Sequence, residues 1–595
     1  MTSELTGNAV KVLEARYLRR DRLGNLIETP QQLFRRVAHH VAAAEISWGG
    51  ENAAGQWEEK FYQALTSLDF LPNSPTLMNA GTELGQLSAC FVLPVGDSMV
   101  EIFDALKLAA LIQQSGGGTG FSFSRLRPQG DPVTSTGGAA SGPVSFMRIF
   151  DSATENIRQG GRRRGANMGV LRVDHPDIAE FVEAKRDGHS FRNFNLSVAA
   201  TDEFMEAIEA RRPFALLNPR TGEEAARVHA AELFQRIAQA AWETGDPGMI
   251  FLDAINRANP TPAVGTIEAS NPCGEVPLLP YEACNLGSIN LSHMVRAPNG
   301  SATGVTIDWD KLRETIHTAV RMLDDVIEVG RWPAPQIRQI VHANRKTGLG
   351  VMGFAEMLIL LGIPYASERA ASVADELMRF LSEQGRAASE RLAAERGVFP
   401  NWAESRHAAQ DRRLRNATLT SIAPTGTIGI IAGTSPGIEP LFALAYRREH
   451  VLNEQRLVEL NPLFLRYAKR HGFLSDELLA EVQQRGTLRD SRLVPAEARQ
   501  LFRTALEIAP LDHLRIQAAF QNHVDNAVSK TINLPPSATV EQVAEVYRQA
   551  WKLGLKGVTV YRYGSKGQQV LLLGAGEAPY EHEHFVRCDP HACKL

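Results

Sequence analysis

Five consecutive residues, Asn271-Pro272-Cys273-Gly274-Glu275, put an amide, a thiol and a carboxylate at alternate positions. Proline and glycine between them force a turn in place of a regular element. A thiol so flanked suits chemistry in which sulfur and carboxylate act on adjacent atoms of one substrate; a loop around a buried cysteine is the plain alternative. Eleven positions on, Cys284 lies in PYEACNLGSINL (280–291), and far upstream Cys90 opens the apolar run CFVLPV (90–95). The last two cysteines, Cys588 and Cys593, sit five apart at the C-terminal tip, where a thiol pair on a flexible tail can reach a pocket and exchange disulfides. Five cysteines in 595 residues are too few for a disulfide scaffold.

Three glycine-rich segments also bear on chemistry. Ala423-Pro424-Thr425-Gly426-Thr427-Ile428 offers hydroxyls and N–H groups at a turn entering a helix, a pocket for an anion. GGRRRGAN (160–167) is a basic loop carrying Arg162, Arg163 and Arg164, by composition a solvated turn. QQSGGGTG (113–120) is not a dinucleotide loop: it follows a helix, lacks the GxGxxG spacing and has no acidic partner at the required distance. On the tail, His582, His584, Cys588, His591 and Cys593 have a spacing that admits Zn²⁺, a rival to the redox reading; no metal site is assigned.

These groups need a scaffold that spans most of the chain. The runs 90–95, 121–126 and 167–173 read as buried strands, and KGVTVYRYGS (556–565) as a final one. Helices are predicted at 10–20, 30–44, 98–114, 230–244, 309–329 and 369–396. Strands alternating with helices indicate an α/β class. The segment 421–438 is uncharged and long enough to span a membrane, but its prolines and glycines make it strand, turn and loop. With no secretory h-region at the N-terminus, a soluble cytoplasmic protein is expected. Charge is balanced, 63 Lys+Arg against 67 Asp+Glu, which argues against a nucleic-acid binder. The division is a helical region 1–70, a catalytic domain 71–573 and a polar tail 574–595.

The whole chain resembles the catalytic subunit of ribonucleotide reductases, most closely the adenosylcobalamin-dependent class II enzymes. NPCGE, ACFVLP, GGRRRGAN, PTGTIGIIAG and KGVTVYRYGS carry the resemblance. It implies a ten-stranded α/β barrel around a central finger loop, with a helical N-terminal region and a flexible C-terminal tail. Cys273 would become a thiyl radical that takes the 3′-hydrogen of the ribose. Glu275 would be the base for the 3′-hydroxyl, and Asn271 would hold the substrate hydroxyls. Cys90 and Cys284 would give two electrons and end as a disulfide. Cys588 and Cys593 would re-reduce it, with thioredoxin or a similar protein behind them. Ser74, Ala89 and Gly118, with the loop from Pro424 to Ile428, would bind the ribonucleotide. Asp97 and Arg127 match a site for deoxynucleoside triphosphate or ATP specificity effectors across a homodimer interface, and Arg162–Arg164 the loop that relays effector identity.

The resemblance also separates the classes. Class I passes its radical through adjacent tyrosines, whereas this chain has Val560-Tyr561-Arg562-Tyr563 at the matching place. The class III glycyl-radical motif R-V-C-G-Y is missing. No D-x-H-x-x-G motif occurs, since Asp589-Pro590-His591 lacks the glycine, so exchange of the cobalamin base for a protein histidine is not expected. Only about 70 residues precede LPNSPT, which leaves no room for an ATP-cone; specificity control without an overall dATP off-switch is expected. Diphosphate substrates are favoured by resemblance to the dimeric class II enzymes. The alternatives are a class I large subunit and a triphosphate-specific class II enzyme.

Overall fold

Strands buried on both faces need a partner on each side and a layer above and below. The computed structural model, which describes residues 5–133, 137–159, 163–297, 304–448, 457–565 and 572–573, meets that need by closing a ring. Its first half is β1 (Cys90–Pro94), β2 (Gly118–Ser122), β3 (Asn167–Arg172), β4 (Phe194–Ala200) and β5 (Gly248–Phe251), each parallel to the next. Its second half begins with β6 (Ala283–Asn290), parallel to β7 (Thr347–Met352). Next comes an extended segment, 419–422, bridged in parallel to β7 at Leu349↔Thr420 and to residue 528 at Ile422↔Val528. Residue 528 leads into β8 (Thr531–Leu534), which lies parallel to β9 (Gly557–Arg562). The halves join antiparallel at Met249↔Val558 and at Cys284↔Cys90. Ten staves therefore close into a barrel, with Phe70–Pro72 paired outside them along β6.

The outer layer is helical. α1 (Gly7–Arg16), α2 (Pro30–Ala42) and α3 (Ile46–Thr66) form the N-terminal region. α2 starts on a capping box between Thr29 and Gln32, with Pro30 in its first turn. Leu33, Val37 and Phe61 from this region pack with Ile289 and Val351 of the second half-barrel. α4 (Met99–Gln114), α6 (Ala230–Thr244), α7 (Trp309–Val329) and α8 (Glu368–Arg396) follow the sequence expectation closely, and α5 (Gly142–Asn156) is a helix the sequence reading had not placed. α1 starts and ends about four residues early, because Thr6 caps it and the chain turns back at the Arg20↔Leu26 bridge. Within 421–438 the chain makes a short helix, α9 (Gly426–Ala432). Among the described residues, no helix is long and apolar enough to cross a membrane.

One strand departs from its prediction for an instructive reason. The run 121–126 was expected, but β2 occupies Gly118–Ser122. Its glycines read as a turn by propensity. Here they make room: a Cβ at Gly120 would stand 1.8 Å from the Ser270 carbonyl oxygen, and one at Gly118 2.9 Å from Pro272. The barrel interior is thus occupied by another piece of the chain, flanked by apolar residues such as Val92, Val170, Ile250 and Leu286. Gly120→Ala is expected to cost about 1–3 kcal/mol by overpacking. The check is a fall of about 1–2 °C in the thermal midpoint with unchanged far-UV circular dichroism.

Candidate active site

The piece inside the barrel is a finger with two short arms, Ala269–Ser270 and Pro277–Leu278, paired antiparallel. Its tip is a turn closed by Gly274 N–H donating to the Asn271 carbonyl at 3.0 Å. Gly274 has φ +81°, which a side chain would resist. The Asn271 carboxamide accepts from the Val276 N–H at 3.0 Å, so it braces the loop from within. Three staves hold the finger in place. Asn195 on β4 donates to the Pro272 carbonyl at 2.8 Å. Ser421 Oγ and the Ala527 N–H donate to the Glu275 carbonyl at 2.8 and 2.9 Å. Neither Asn195 nor Ser421 stands out in the sequence, since only the closed ring brings them to the finger.

Four of the five residues expected to do chemistry are buried together. Cys90 and Cys284 are directly opposite on antiparallel strands. Such positions have Cα atoms about 4.5–5.5 Å apart, within disulfide reach. Asn271 Nδ2 donates to Cys90 Sγ at 3.0 Å. Burial pushes both thiols up, Cys90 further raised by the nearby Glu275 carboxyl. Glu275 is 2% exposed, and its Oε2 is buried without a hydrogen-bond partner. Burial raises its carboxyl to about 7, against an opposing hydrogen bond from Asn271. Cys273, the fifth, is exposed at the fingertip.

Cys273 opens on a cavity of about 220 Å³ on the side of the finger facing β4, β5 and β9. Asn195, Ser197, Asp246, Ser529, Lys530 and Thr559 give it a polar lining. On the β2 side, Gly118 N–H donates to the Ala89 carbonyl at 2.8 Å, beside Pro272. Ser74 shares a 2.6 Å hydrogen bond with Tyr17, and its neighbour Asn73 donates its N–H to the Leu286 carbonyl on β6. Pro424 borders the Cys273 cavity, and Thr425 enters α9 in the left-handed conformation at φ +48° with its hydroxyl accepting from the Gly437 N–H at 2.6 Å. Gly426, Thr427 and Ile428 form the first turn of α9, whose N–H groups have no acceptor within the helix ladder.

The remaining expected residues lie elsewhere. Arg127 and Asp97 meet at 2.8 Å, beyond the end of β1. Arg163–Arg164 form a two-residue ladder with Arg158–Gln159, and Arg162 lies outside the described residues. So do Cys588, Cys593 and the tail histidines. Sequence reading passed over a buried ion pair, Glu282–Lys346 at 2.6 Å. Glu282 was open to inference, being two positions from Cys284 on one strand face; Lys346 became visible only through strand register.

The family model described as ribonucleotide reductase, all-alpha domain, matches residues 3–85, and the one described as ribonucleotide reductase, barrel domain, matches residues 88–561. The chain belongs to the ribonucleotide reductase family. The reductase is 55% identical over 591 residues to the vitamin B12-dependent ribonucleoside-diphosphate reductase of Mycobacterium tuberculosis, across 99% of this chain and 84% of that one. It is 49% identical over 638 residues to the protein of the same name from Thermoplasma acidophilum, across 98% and 82%. Among solved structures, the Actinobacillus ureae class Id ribonucleotide reductase alpha subunit superposes with a TM-score of 0.75 over 94% of this chain and 97% of that one. At 24% identity, that likeness is one of fold.

The buried carboxyl gives the reductase a pH signature. Unfolded, Glu275 ionises near its ordinary value of 4.5; folded, near 7. Between those values the unfolded chain has released the proton and the folded one has not, so this group's contribution falls as pH rises from 4.5 to 7. The loss is about 3 kcal/mol. Glu275→Gln is therefore expected to be more stable than wild type at pH 8, with the difference shrinking toward pH 5, as read from thermal midpoints.

Proposed function

We propose that this reductase is the adenosylcobalamin-dependent class II form and converts ribonucleoside diphosphates to 2′-deoxyribonucleoside diphosphates. The observation that carries the reading is the fingertip thiol, Cys273, held beside a buried carboxyl and an opposed pair of thiols inside a closed barrel. A ribose 3′-hydrogen on carbon is not acidic, so a side-chain base cannot remove it, but a sulfur radical can. Cys273 takes that hydrogen atom while Glu275, ionised, accepts the 3′-hydroxyl proton. The 2′-hydroxyl then leaves as water with a proton from the Cys90/Cys284 pair. That pair supplies two electrons and closes to a disulfide, and Cys273 returns the hydrogen atom to C3′. Net, substrate and dithiol give deoxynucleotide, water and disulfide.

The residues around the 220 Å³ cavity fit the nucleoside portion of the cofactor. Hydroxyls of Ser197, Ser529 and Thr559 match the hydrogen-bonding groups of an adenosyl moiety. Adenosylcobalamin, when bound, supplies the one-electron chemistry that makes the Cys273 radical. Val560 at the head of Val-Tyr-Arg-Tyr on β9 supports this source over a tyrosine relay.

Ser74, Ala89, Gly118 and the loop from Pro424 to Ile428 are assigned to the ribonucleotide, its phosphates at the start of α9. Effectors are assigned to Asp97, Arg127 and the loop carrying Arg162–Arg164. α4, which begins two residues after Asp97, exposes Met99, Val100, Phe103 and Leu111, and α5 exposes Ile149. We assign this apolar face to a homodimer. Thioredoxin, or a protein like it, reduces the Cys588/Cys593 tail in a cytosolic setting.

Purified protein with adenosylcobalamin and a dithiol is expected to make dCDP from CDP, and the Cys273→Ala variant none. Product from CTP alone would make the substrate a triphosphate; product only with a second protein would make the enzyme class I. Wild-type kcat/KM is expected to fall as pH drops below about 7, because Glu275 then holds its proton. Phe103→Glu is expected to yield monomers by size-exclusion chromatography and to abolish the effect of deoxynucleoside triphosphates on substrate choice.

A further inference from the structure

Cys90 and Cys284 are alike in burial and opposite in surroundings. Cys284 projects into the barrel, as the alternation along β6 shows: its neighbour Asn285 donates outward to the Leu323 carbonyl of α7, 2.7 Å away. Glu282, two residues earlier, shares the inward face. The register Asn285↔Thr347 between β6 and β7 sets Lys346 beside Cys284, one strand spacing away. The inward face of β7 is confirmed at Gly348, where a Cβ would stand 3.7 Å from Cys284 Sγ. Lys346 and Glu282 are 2% and 1% exposed. Lys346 Nζ donates to Glu282 Oε2 at 2.6 Å, the Leu279 N–H to the same oxygen at 2.7 Å, and Asn344 to the other oxygen. Removing two charges from water is expensive, and an apolar pair of similar volume is often at least as stable. The barrel interior nevertheless carries this pair against a redox thiol.

We propose that Lys346, held by Glu282, is a positioning residue that gives the Cys90–Cys284 disulfide a fixed direction of opening, with Cys284 as the leaving thiolate and Cys90 as the sulfur attacked. The inference rests on the assignment of these cysteines as the redox pair. An incoming thiolate bonds to Cys90 sulfur, the Cys90–Cys284 bond breaks, and its electron pair stays on Cys284 beside the Lys346 ammonium. The second thiol of the same dithiol then displaces Cys90. The dithiol is oxidised by two electrons, and its two protons end on the released Cys90 and Cys284. A cation next to the departing sulfur speeds such exchange by stabilising the leaving thiolate. Cys90 has the reverse environment: its titratable neighbours are Glu275, Cys273 and Cys284, with no cation among them, whereas Cys284 faces Lys346, Glu282 and Glu275.

The test uses the full chain with Cys588→Ser and Cys593→Ser, so that only the core pair exchanges. Oxidised protein is reduced with dithiothreitol at several pH values, and thiols are counted after acid quenching. Lys346→Met is expected to slow reduction about tenfold and Lys346→Arg far less, since leaving-group stabilisation needs the charge. Should Lys346→Met fail to fold, Glu282→Gln/Lys346→Met removes both charges and is expected to show the same slowing. In a second measurement, oxidised protein is mixed briefly with cysteamine, quenched, alkylated and mapped by mass spectrometry. The cysteamine adduct is expected on Cys90 and the alkyl group on Cys284. Wild-type rates in the charge-free variants, or an adduct mainly on Cys284, would overturn the proposal. If the oxidised parent contains no Cys90–Cys284 bond, the redox-pair assignment itself falls, and the proposal with it.

Discussion

Everything in this molecule depends on fitting a strand pair inside a ring of strands. A ten-stave barrel is wide enough to admit a finger, but only if the staves facing it give up their side chains. Gly120 does so most sharply, since the Ser270 carbonyl occupies the place its Cβ would take. With the backbone that close, the tip cannot wander. Asn195, Ser421 and Ala527 fix it from three staves, and the reactive sulfur projects from a rigid base. Packing of this kind holds the fingertip in one position, which the radical chemistry proposed above requires.

The same enclosure explains the electrostatics. A carboxyl inside the finger loses water and holds its proton to about pH 7, and the two opposed thiols are pushed up by the same burial. A protein selected only for stability would not keep an unpartnered carboxyl oxygen there. The desolvation falls on the one carboxyl to which the proposed function gives the 3′-hydroxyl proton.

Much of this was legible in the sequence, but unevenly. The helices α6 and α7 begin and end where their periodicity puts them, because each closes its hydrogen bonds within itself. NPCGE announced its turn, since proline and glycine act locally. What could not be read was anything that depends on ring closure. β2 was misplaced because its glycines look like a turn until the finger is known to need them. The stretch from 421 was read as strand, turn and loop, but that 419–422 is a stave of the ring was not legible, because its two bridges reach to residues far away in the chain. Lys346 drew no attention for the same reason: a charge 62 positions from Cys284 becomes its neighbour only when β6 and β7 pair. Asp97 and Arg127 were chosen together from resemblance, and they lie in contact.

The antiparallel junction of β1 and β6 bears on how such an enzyme is recognised by its reductant. Cys90 and Cys284 are spaced by a hydrogen-bonded ladder and not by their own bond. Making or breaking that bond asks for side-chain rotation and little else, so the barrel has nearly the same outline in both redox states. A reductase protein scanning the surface would find no change in shape that reports a spent site. If the two thiols are the redox pair proposed above, chemical state and not conformation is the signal that a turnover has been completed.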